Sequence, residues 1–400
     1  MIDPLVAEWL NILGRWIHVI AGIMWVGNSM LFNWLDRSLI PPGESGSRTI
    51  GKTWLFHGGG FYSVEKYSSD TLPPVLHWFK WQSYTTWVTG FILLVAVYYG
   101  DGGRFLLPAG SSIPPSHAMV IGLVTVFGGF LVYDLFWRTP LAKKFGTMAG
   151  VVSLGLLFWI TYELHQLFNG RSAYLHIGAM LGTFMAGNVF LHIIPSQKAL
   201  IKQINEGGGY NYDLSTRAKT RSIHNNYFTF PMIFTMISNH FAGLFGHELN
   251  WLILIIVMLT GALVRHFMNI RWTFKPWLAG IGGTLGVAAV ALTAILYPAN
   301  KSEAIASTED LGEPVSFGEA RAIVHKHCIS CHSQWPTIPG MLAANKGVHY
   351  DHPEEIKMHA PKMYEQAVAA PIMPMGNMTG MTDAERETLG RWIKQGAKLE

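Results

Sequence analysis

The sequence predicts an all-α protein: a polytopic membrane helix bundle of about eight spans, followed by a small helical domain outside the membrane. Three observations predict it. Half of the residues are hydrophobic and only 14% are charged, whereas an ordinary soluble domain carries about 25% charged residues. Apolar stretches of about 20 residues, enough to cross a hydrocarbon core about 30 Å thick, recur along the first 298 positions. Beyond them, "YPANKSEAIASTEDLGEPVSFG" turns small, polar and acidic, as a tether of limited length would. The chain thus divides into a membrane domain over 1–298, a linker over 299–316 and a C-terminal domain over 317–400.

The eight stretches lie at about 10–35, 76–99, 115–137, 145–168, 174–197, 224–246, 250–271 and 276–297. The first is too long for a cleavable signal peptide and lacks a basic flank ahead of it, so it is expected to remain as the first span. The sixth, "HNNYFTFPMIFTMISNHF", is unusually polar and carries Pro231. Stretches one and five, "HVIAGIMWVGNSMLFNWL" and "HIGAMLGTFMAGNVFLHII", each carry a histidine and then a Gly-Asn pair, Gly27-Asn28 and Gly187-Asn188. Stretches two and six open on His77 and His224, completing the outline of a four-plus-four repeat. In "GIGGTLG" at 280–286, Gly282 and Gly286 are expected to allow close helix packing. "HGGG" at 57–60 looks like an esterase oxyanion loop, but no G-x-S-x-G nucleophile elbow accompanies it.

Charge orients the bundle. With the N-terminus outside, the loops on the inner side and the span ends that adjoin them hold fifteen Lys/Arg, from Arg37 through Lys275, and the outer loops hold only Arg104 and Arg171. Positive residues favour the cytoplasmic side, and an even number of spans returns the C-terminal domain to the outside. A bacterial inner membrane is expected, with the N-terminus and the C-terminal domain in the periplasm. The formal charge of +4 reflects this topology, so the lipid bilayer is an expected partner and nucleic acid is not.

"HKHCISCHSQW" at 325–335 holds both cysteines of the chain. C-x-x-C-H is the attachment signature of a c-type haem. The thiols of Cys328 and Cys331 can form thioethers with the porphyrin vinyl groups, and the imidazole of His332 can reach the iron. A zinc site would want two more ligands, and a redox disulfide a βαβ context. Upstream, "SFGEARAIVHKH" reads as a short helix. Downstream come prolines among methionines, a Thr382/Glu385 capping box, and Leu389, Trp392 and Ile393 at helical spacing. These features resemble a class I cytochrome c over about residues 313–400. The resemblance implies one covalent haem c with His332 and a methionine as axial ligands. Met373 in "IMPMG" matches the family's ligand position, with Met375 and Met378 as alternatives.

Ionisable residues within spans are costly and usually face the bundle interior or a cavity. His18, His117, His165, His176, His240 and His247 fall near the outer side, and His77, His192, His224 and His266 near the inner side. A single such histidine is most often an interhelical hydrogen-bonding group; nine across seven spans, with His247 just past the sixth, call for more. Imidazoles on facing helices, with His18, His77, His176 and His266 as candidates, could hold a haem b in the membrane domain. The other use is catalytic: imidazole as a general base near neutral pH, with amides reading a polar heterocycle. "RSIHNNYFTFPMIFTMISNH" concentrates the candidates for that use around Pro231. They are His224 and His240 as catalytic groups, and Asn225, Asn226 and Asn239 as substrate-binding groups. A proline-broken helix typically lines a cavity.

The opening "HVIAGIMWVGNSMLFNWLDR", the H-N-N-Y-F-T segment and the tail M-P-x-G-N-x-T-G-M-T-D-x-E-R together resemble the bacterial membrane-bound urate oxidase (urate hydroxylase) family. The resemblance covers nearly all 400 residues. It implies oxidation of urate to 5-hydroxyisourate with water as the oxygen source and no hydrogen peroxide. Electrons would leave through the C-terminal domain to a soluble or membrane-bound cytochrome c or a terminal oxidase. Nothing in periodicity or spacing identifies urate itself. The alternative is a quinol-to-cytochrome electron-transfer subunit, which predicts bis-histidine haems and no activity with urate. A terminal oxidase with a copper cluster would need neighbouring histidines, and no His-His pair occurs in the spans.

Overall fold

A computed structural model describes residues 4–42, 49–68, 71–73, 75–100, 102–108, 111–296, 312–337, 344, 347–369 and 372–400. Most of the expected linker, residues 299–311, lies outside the described residues.

Long helices form where the apolar stretches predict them. Helix α1 (Pro4–Ser38) precedes an antiparallel hairpin of β1 (Thr49–His57) and β2 (Gly60–Tyr67). Helix α2 (Trp81–Leu94) is prolonged to Tyr99 by a π-helical turn. Helices α3 (Pro115–Leu123) and α4 (Gly129–Arg138) form one rod through a second π-helical turn at Val124–Gly128. The short α5 (Pro140–Lys144) leads into α6 (Gly146–Leu167). Helix α7 (Gly170–Gly187) passes through a third π-helical turn, Asn188–Ile193, into α8 (Ile194–Asn205). Then follow α9 (Tyr212–Ile237), the short α10 (Ala242–Phe245), α11 (Asn250–Ile270) and α12 (Trp277–Leu296).

Among the described residues, six rods are long and apolar enough to cross a membrane: Trp9–Ser38, Pro115–Arg138, Gly146–Leu167, Gly170–Asn205, Asn250–Ile270 and Trp277–Leu296. Helices α2 and α9 occupy the second and sixth expected stretches without reaching that standard. Helix α9 starts well ahead of its apolar stretch, where the Asn211 side chain accepts from the backbone N–H groups of Asp213 and Leu214. Its first half therefore carries Arg217, Lys219 and Arg221. It also runs unbroken through Pro231, which is buried against Gly261 of α11, instead of opening there.

Helix α7 is the axis of the bundle. Its Tyr174, His176, Ile177, Met180 and Leu181 are almost wholly buried, and α2, α4, α6, α9 and α11 pack around it. Helix α1 packs on α2 and α12 on α11, at the periphery. Large apolar side chains line the outside, among them Trp16, Ile23, Val151, Trp159, Val287 and Val290. A surface this apolar suits lipid and is rare on monomers in water.

Three expectations are corrected by packing. The all-α reading lacked the hairpin, whose "HGGG" segment is its tight turn: Gly58 and Gly59 take φ of 59° and 84°, and His57 pairs with Gly60. Two successive positive-φ residues make a turn that suits the twist of a hairpin, and only residues such as glycine adopt them freely. The two Gly-Asn pairs of the expected repeat sit in unlike surroundings. Gly187 lies against the Phe130 ring while Gly27 faces open space. Likewise Gly282 and Gly286 face open space, and it is Gly280 that abuts a neighbour, Phe267.

Among its described residues the C-terminal domain packs the helices Phe317–His327, Pro353–Met363 and Asp383–Lys394 around Val324, Ile356, Ala360, Leu389 and Trp392. Capping boxes start the first and last: Ser316 with Glu319, and Thr382 with Glu385. The Thr382 backbone, the Lys326 ammonium and His327 hold the Glu385 carboxyl well below the usual carboxylate range, the lysine bond most of all. This domain sits on one end of the bundle. Its methionine turn, Met375–Asn377, touches the Arg104–Leu106 turn, and Ile372 packs against the bundle's core.

Candidate functional site

Polar chemistry is concentrated at both ends of the bundle. At the end away from the C-terminal domain, Asp134 of α4 is 3% exposed. Its carboxylate accepts from Arg221 at 3.0 Å and from His192 Nε2 at 2.5 Å, and pairs with Arg138 at 2.5 Å. Next to it, Asn188 donates to the Tyr133 hydroxyl and to Asn225 Oδ1, both at 2.9 Å, and Asn225 donates to the Met185 carbonyl. The Tyr133 hydroxyl also shares a 2.7 Å hydrogen bond with His224 Nδ1. The π-helical turn at Asn188–Ile193 presents both Asn188 and His192 to this network; such turns often mark functional sites.

Toward the middle and the docked end, the histidines differ in what their second nitrogen does. A carbonyl can only accept, so a Nδ1 that meets one carries the proton and leaves Nε2 as a lone-pair donor. His18 Nδ1 meets the Thr86 carbonyl at 2.9 Å, and His165 Nδ1 meets that of Thr161 at 2.6 Å. His165 Nε2 is buried without a partner. His176 spends both nitrogens, donating to the Ser172 carbonyl and accepting from the Tyr99 hydroxyl at 2.8 Å. Gly122 makes room for that pair, since a Cβ there would stand 2.8 Å from His176 Nε2. Nearer the other end, His266 meets the Tyr227 hydroxyl at 2.8 Å, and His77 precedes α2 in a segment without regular secondary structure. The carbonyl bonds of His18 and His165 thus leave Nε2 as the lone-pair nitrogen of each ring.

The sequence-predicted segment around Pro231 is split between the two ends. His224 and Asn225 join the Asp134 network, while Asn226 faces α11, accepting from Arg265 at 3.0 Å and Asn269 at 2.7 Å. Asn239 and His240 lie past the other end of α9, about 20 Å away at 1.5 Å per residue. There Asn239 Oδ1 accepts from Arg171 Nε at 3.0 Å, and His240 is exposed. One small substrate cannot touch both groups. Sequence reasoning missed Tyr133, Asp134 and Arg221; an aspartate inside "FLVYDLFW" was the available signal. It also missed Tyr98, which carries no such signal.

In the C-terminal domain Cys328 and Cys331 are free thiols, and burial pushes Cys328 up to about 12. Among the described residues no three His, Cys, Asp or Glu side chains converge as a metal site of their own. His332 Nδ1 donates to the Val348 carbonyl at 3.1 Å, which leaves Nε2 for an iron. Its neighbourhood is firmly built: Asp351 accepts from Ser333 Oγ and from the Gln334 N–H, both at 2.7 Å. Of the methionines, Met378 is 47% exposed and Met375 lines a cleft against the bundle. Arg386, 7% exposed, donates to the Met373 carbonyl at 2.7 Å and to the Ala367 carbonyl. These residues fit a covalent haem c, for which the porphyrin itself supplies the remaining ligands.

The fold and these sites define a helical protein with membrane-span-like helices, buried polar chemistry and an appended domain. Compared with known families, residues 4–296 match the one described as urate oxidase N-terminal. That match covers most of the chain, and the protein belongs to this urate oxidase family. No curated protein and no solved structure matches it.

Proposed function

We propose that the protein is a membrane-bound, cytochrome-linked urate oxidase that converts urate and water to 5-hydroxyisourate, two electrons and two protons. What carries this reading is a juxtaposition. The methionine loop of a domain bearing a free C-x-x-C-H motif rests on the end of a bundle from the urate oxidase family. Haem c, held through Cys328, Cys331, His332 and Met373, would supply a one-electron acceptor, so the two electrons would leave one after the other through it to an external cytochrome c or terminal oxidase. The chain's own residues have two tasks, to hold the planar substrate and to take protons. Of the nominated imidazoles, His240 is exposed and adjoins Asn239, which Arg171 holds in place; it is the proposed base. His224 is engaged by Tyr133 at the other end.

Holoprotein mixed anaerobically with urate should show reduction of the haem c absorption and form no peroxide. His240→Ala should slow that reduction about 10²- to 10⁴-fold, the usual contribution of a general base, with haem content unchanged. A haem that dithionite reduces and urate does not would sink the proposal.

The eight-span reading and a periplasmic C-terminal domain are part of the same proposal, supported by the charge asymmetry, by six helices of spanning length and by α2 and α9 in the two remaining expected places. A reporter active only in the periplasm should work when fused after Glu400 and fail after Lys144. The reverse pattern would overturn the orientation.

A further inference from the structure

At the junction of the two domains lies a cleft lined by Val97, Tyr98, Phe105 and Arg171 of the bundle and by Ile372 and Met375 of the C-terminal domain. Two observations mark it as a binding site. The first is Arg171, whose guanidinium lies over the Tyr98 ring, 5.9 Å from its centre. Only its Nε is spent on Asn239, and among the described residues no carboxylate pairs with it. A guanidinium has five N–H donors in a flat fork suited to planar anions. Arg171 is also one of just two cations in the outer loops, so topology alone gives no reason for it.

The second observation is independent. Tyr98 is 5% exposed and its hydroxyl is buried without a hydrogen-bond partner. Leaving a buried hydroxyl unpaired is unfavourable, and Tyr98 is among the residues that line the cleft. Asn169 meanwhile spends its amide on the carbonyls of Phe105 and Leu107, at 2.8 and 3.3 Å, which holds Phe105 as a wall. Cation, hydroxyl, aromatic walls and apolar cover are together suited to a flat, anionic heterocycle. Urate is an anion at neutral pH, with carbonyl and N–H groups around its edge.

Resting on the proposed urate chemistry, we infer that this interdomain cleft is the urate site. Arg171 pairs with the purine's charge, Tyr98 bonds its edge, and Ile372 and Met375 complete the site from the C-terminal domain. Substrate would then bind beside the methionine loop, with no need to cross the length of the bundle to reach it.

The test uses full-length holoprotein, with urate as the probe under anaerobic conditions and the haem c potential measured in parallel. Arg171→Gln should weaken urate binding about ten- to a hundredfold, and Tyr98→Phe about three- to tenfold, the range for charged and neutral hydrogen bonds. Arg171→Lys should recover only part of the loss. Tyr98→Phe adds a readout that a structural role would not give: thermal stability without urate should hold or rise, because the unpaired hydroxyl is gone. Wild-type affinity in both variants, while urate still reduces the haem, would overturn the site and leave the proposed reaction standing. A shifted haem potential with unchanged urate affinity would assign Arg171 to a haem propionate and also overturn it. If wild-type protein neither binds nor oxidises urate, the reaction and the site fall together.

Discussion

Replacing Asp134 with alanine should cost about 3–5 kcal/mol of stability, the penalty for leaving a buried charge without its partner. One carboxylate, 3% exposed, faces Arg221, His192 and Arg138. These groups come from α4, from the π-helical turn after α7 and from α9, so the same carboxylate ties three parts of the bundle together. Without it the Arg221 guanidinium, 5% exposed and lying 5.2 Å from the Tyr133 ring centre, keeps no carboxylate among the described residues, and its bond to Asn188 Oδ1 is 3.4 Å long. Denaturant unfolding in detergent, followed by tryptophan fluorescence, measures the loss. Asp134→Ala combined with Arg221→Met should lose less than Asp134→Ala alone, because the orphaned cation is then gone. An unchanged midpoint for Asp134→Ala would mean that the cluster contributes nothing to holding these helices.

Arg386→Ala should release the methionine loop of the C-terminal domain. The guanidinium reaches the carbonyls of Ala367 and Met373 and, at 3.4 Å, Asn377 Oδ1. Asn377, at φ 48°, is itself tied to Met381 through both its amide oxygen and its amide nitrogen, at 2.9 and 3.0 Å. Removing the arginine strips charged donors from acceptors that stay buried, at about 1.5–3 kcal/mol for such a bond. In holoprotein the expected result is loss of the near-infrared band of methionine-ligated ferric haem, with a fall in reduction potential. Arg386→Lys should restore charge without the fork and recover the band only in part. An unaltered band and potential in Arg386→Ala would free Met373 from any dependence on this clasp.

Much of this could be read before any coordinates. Helix positions followed from apolar length, because a helix that satisfies its own backbone bonds needs only side chains of the right polarity. The Thr382/Glu385 box was local in the same way: cap and partner are three residues apart, and nothing distant is needed to pair them. The free C-x-x-C-H motif has the same character, its three groups lying within five residues.

What adjacency could not decide was which neighbour each polar side chain meets. Asn225 and Asn226 are consecutive, yet a turn of about 100° per residue sends one to Asn188 on one side of α9 and the other to Arg265 and Asn269 on α11. His224 and His240 share a stretch of sequence but fall about 20 Å apart, because a helix converts separation along the chain into length. Asp134 meets Arg221 from 87 residues away in the chain, and Arg171 meets Asn239 from 68. Tyr98 shows the limit most plainly. Nothing in "VAVYYG" distinguishes it from Tyr99, and only packing gives Tyr99 a histidine and leaves the Tyr98 hydroxyl buried and unpaired. Local pattern determined the helices, their caps and the cysteine motif, since each depends on residues within a turn or two. Tertiary packing decided which polar groups are satisfied and which wait for a ligand, since that depends on the separation of atoms in space.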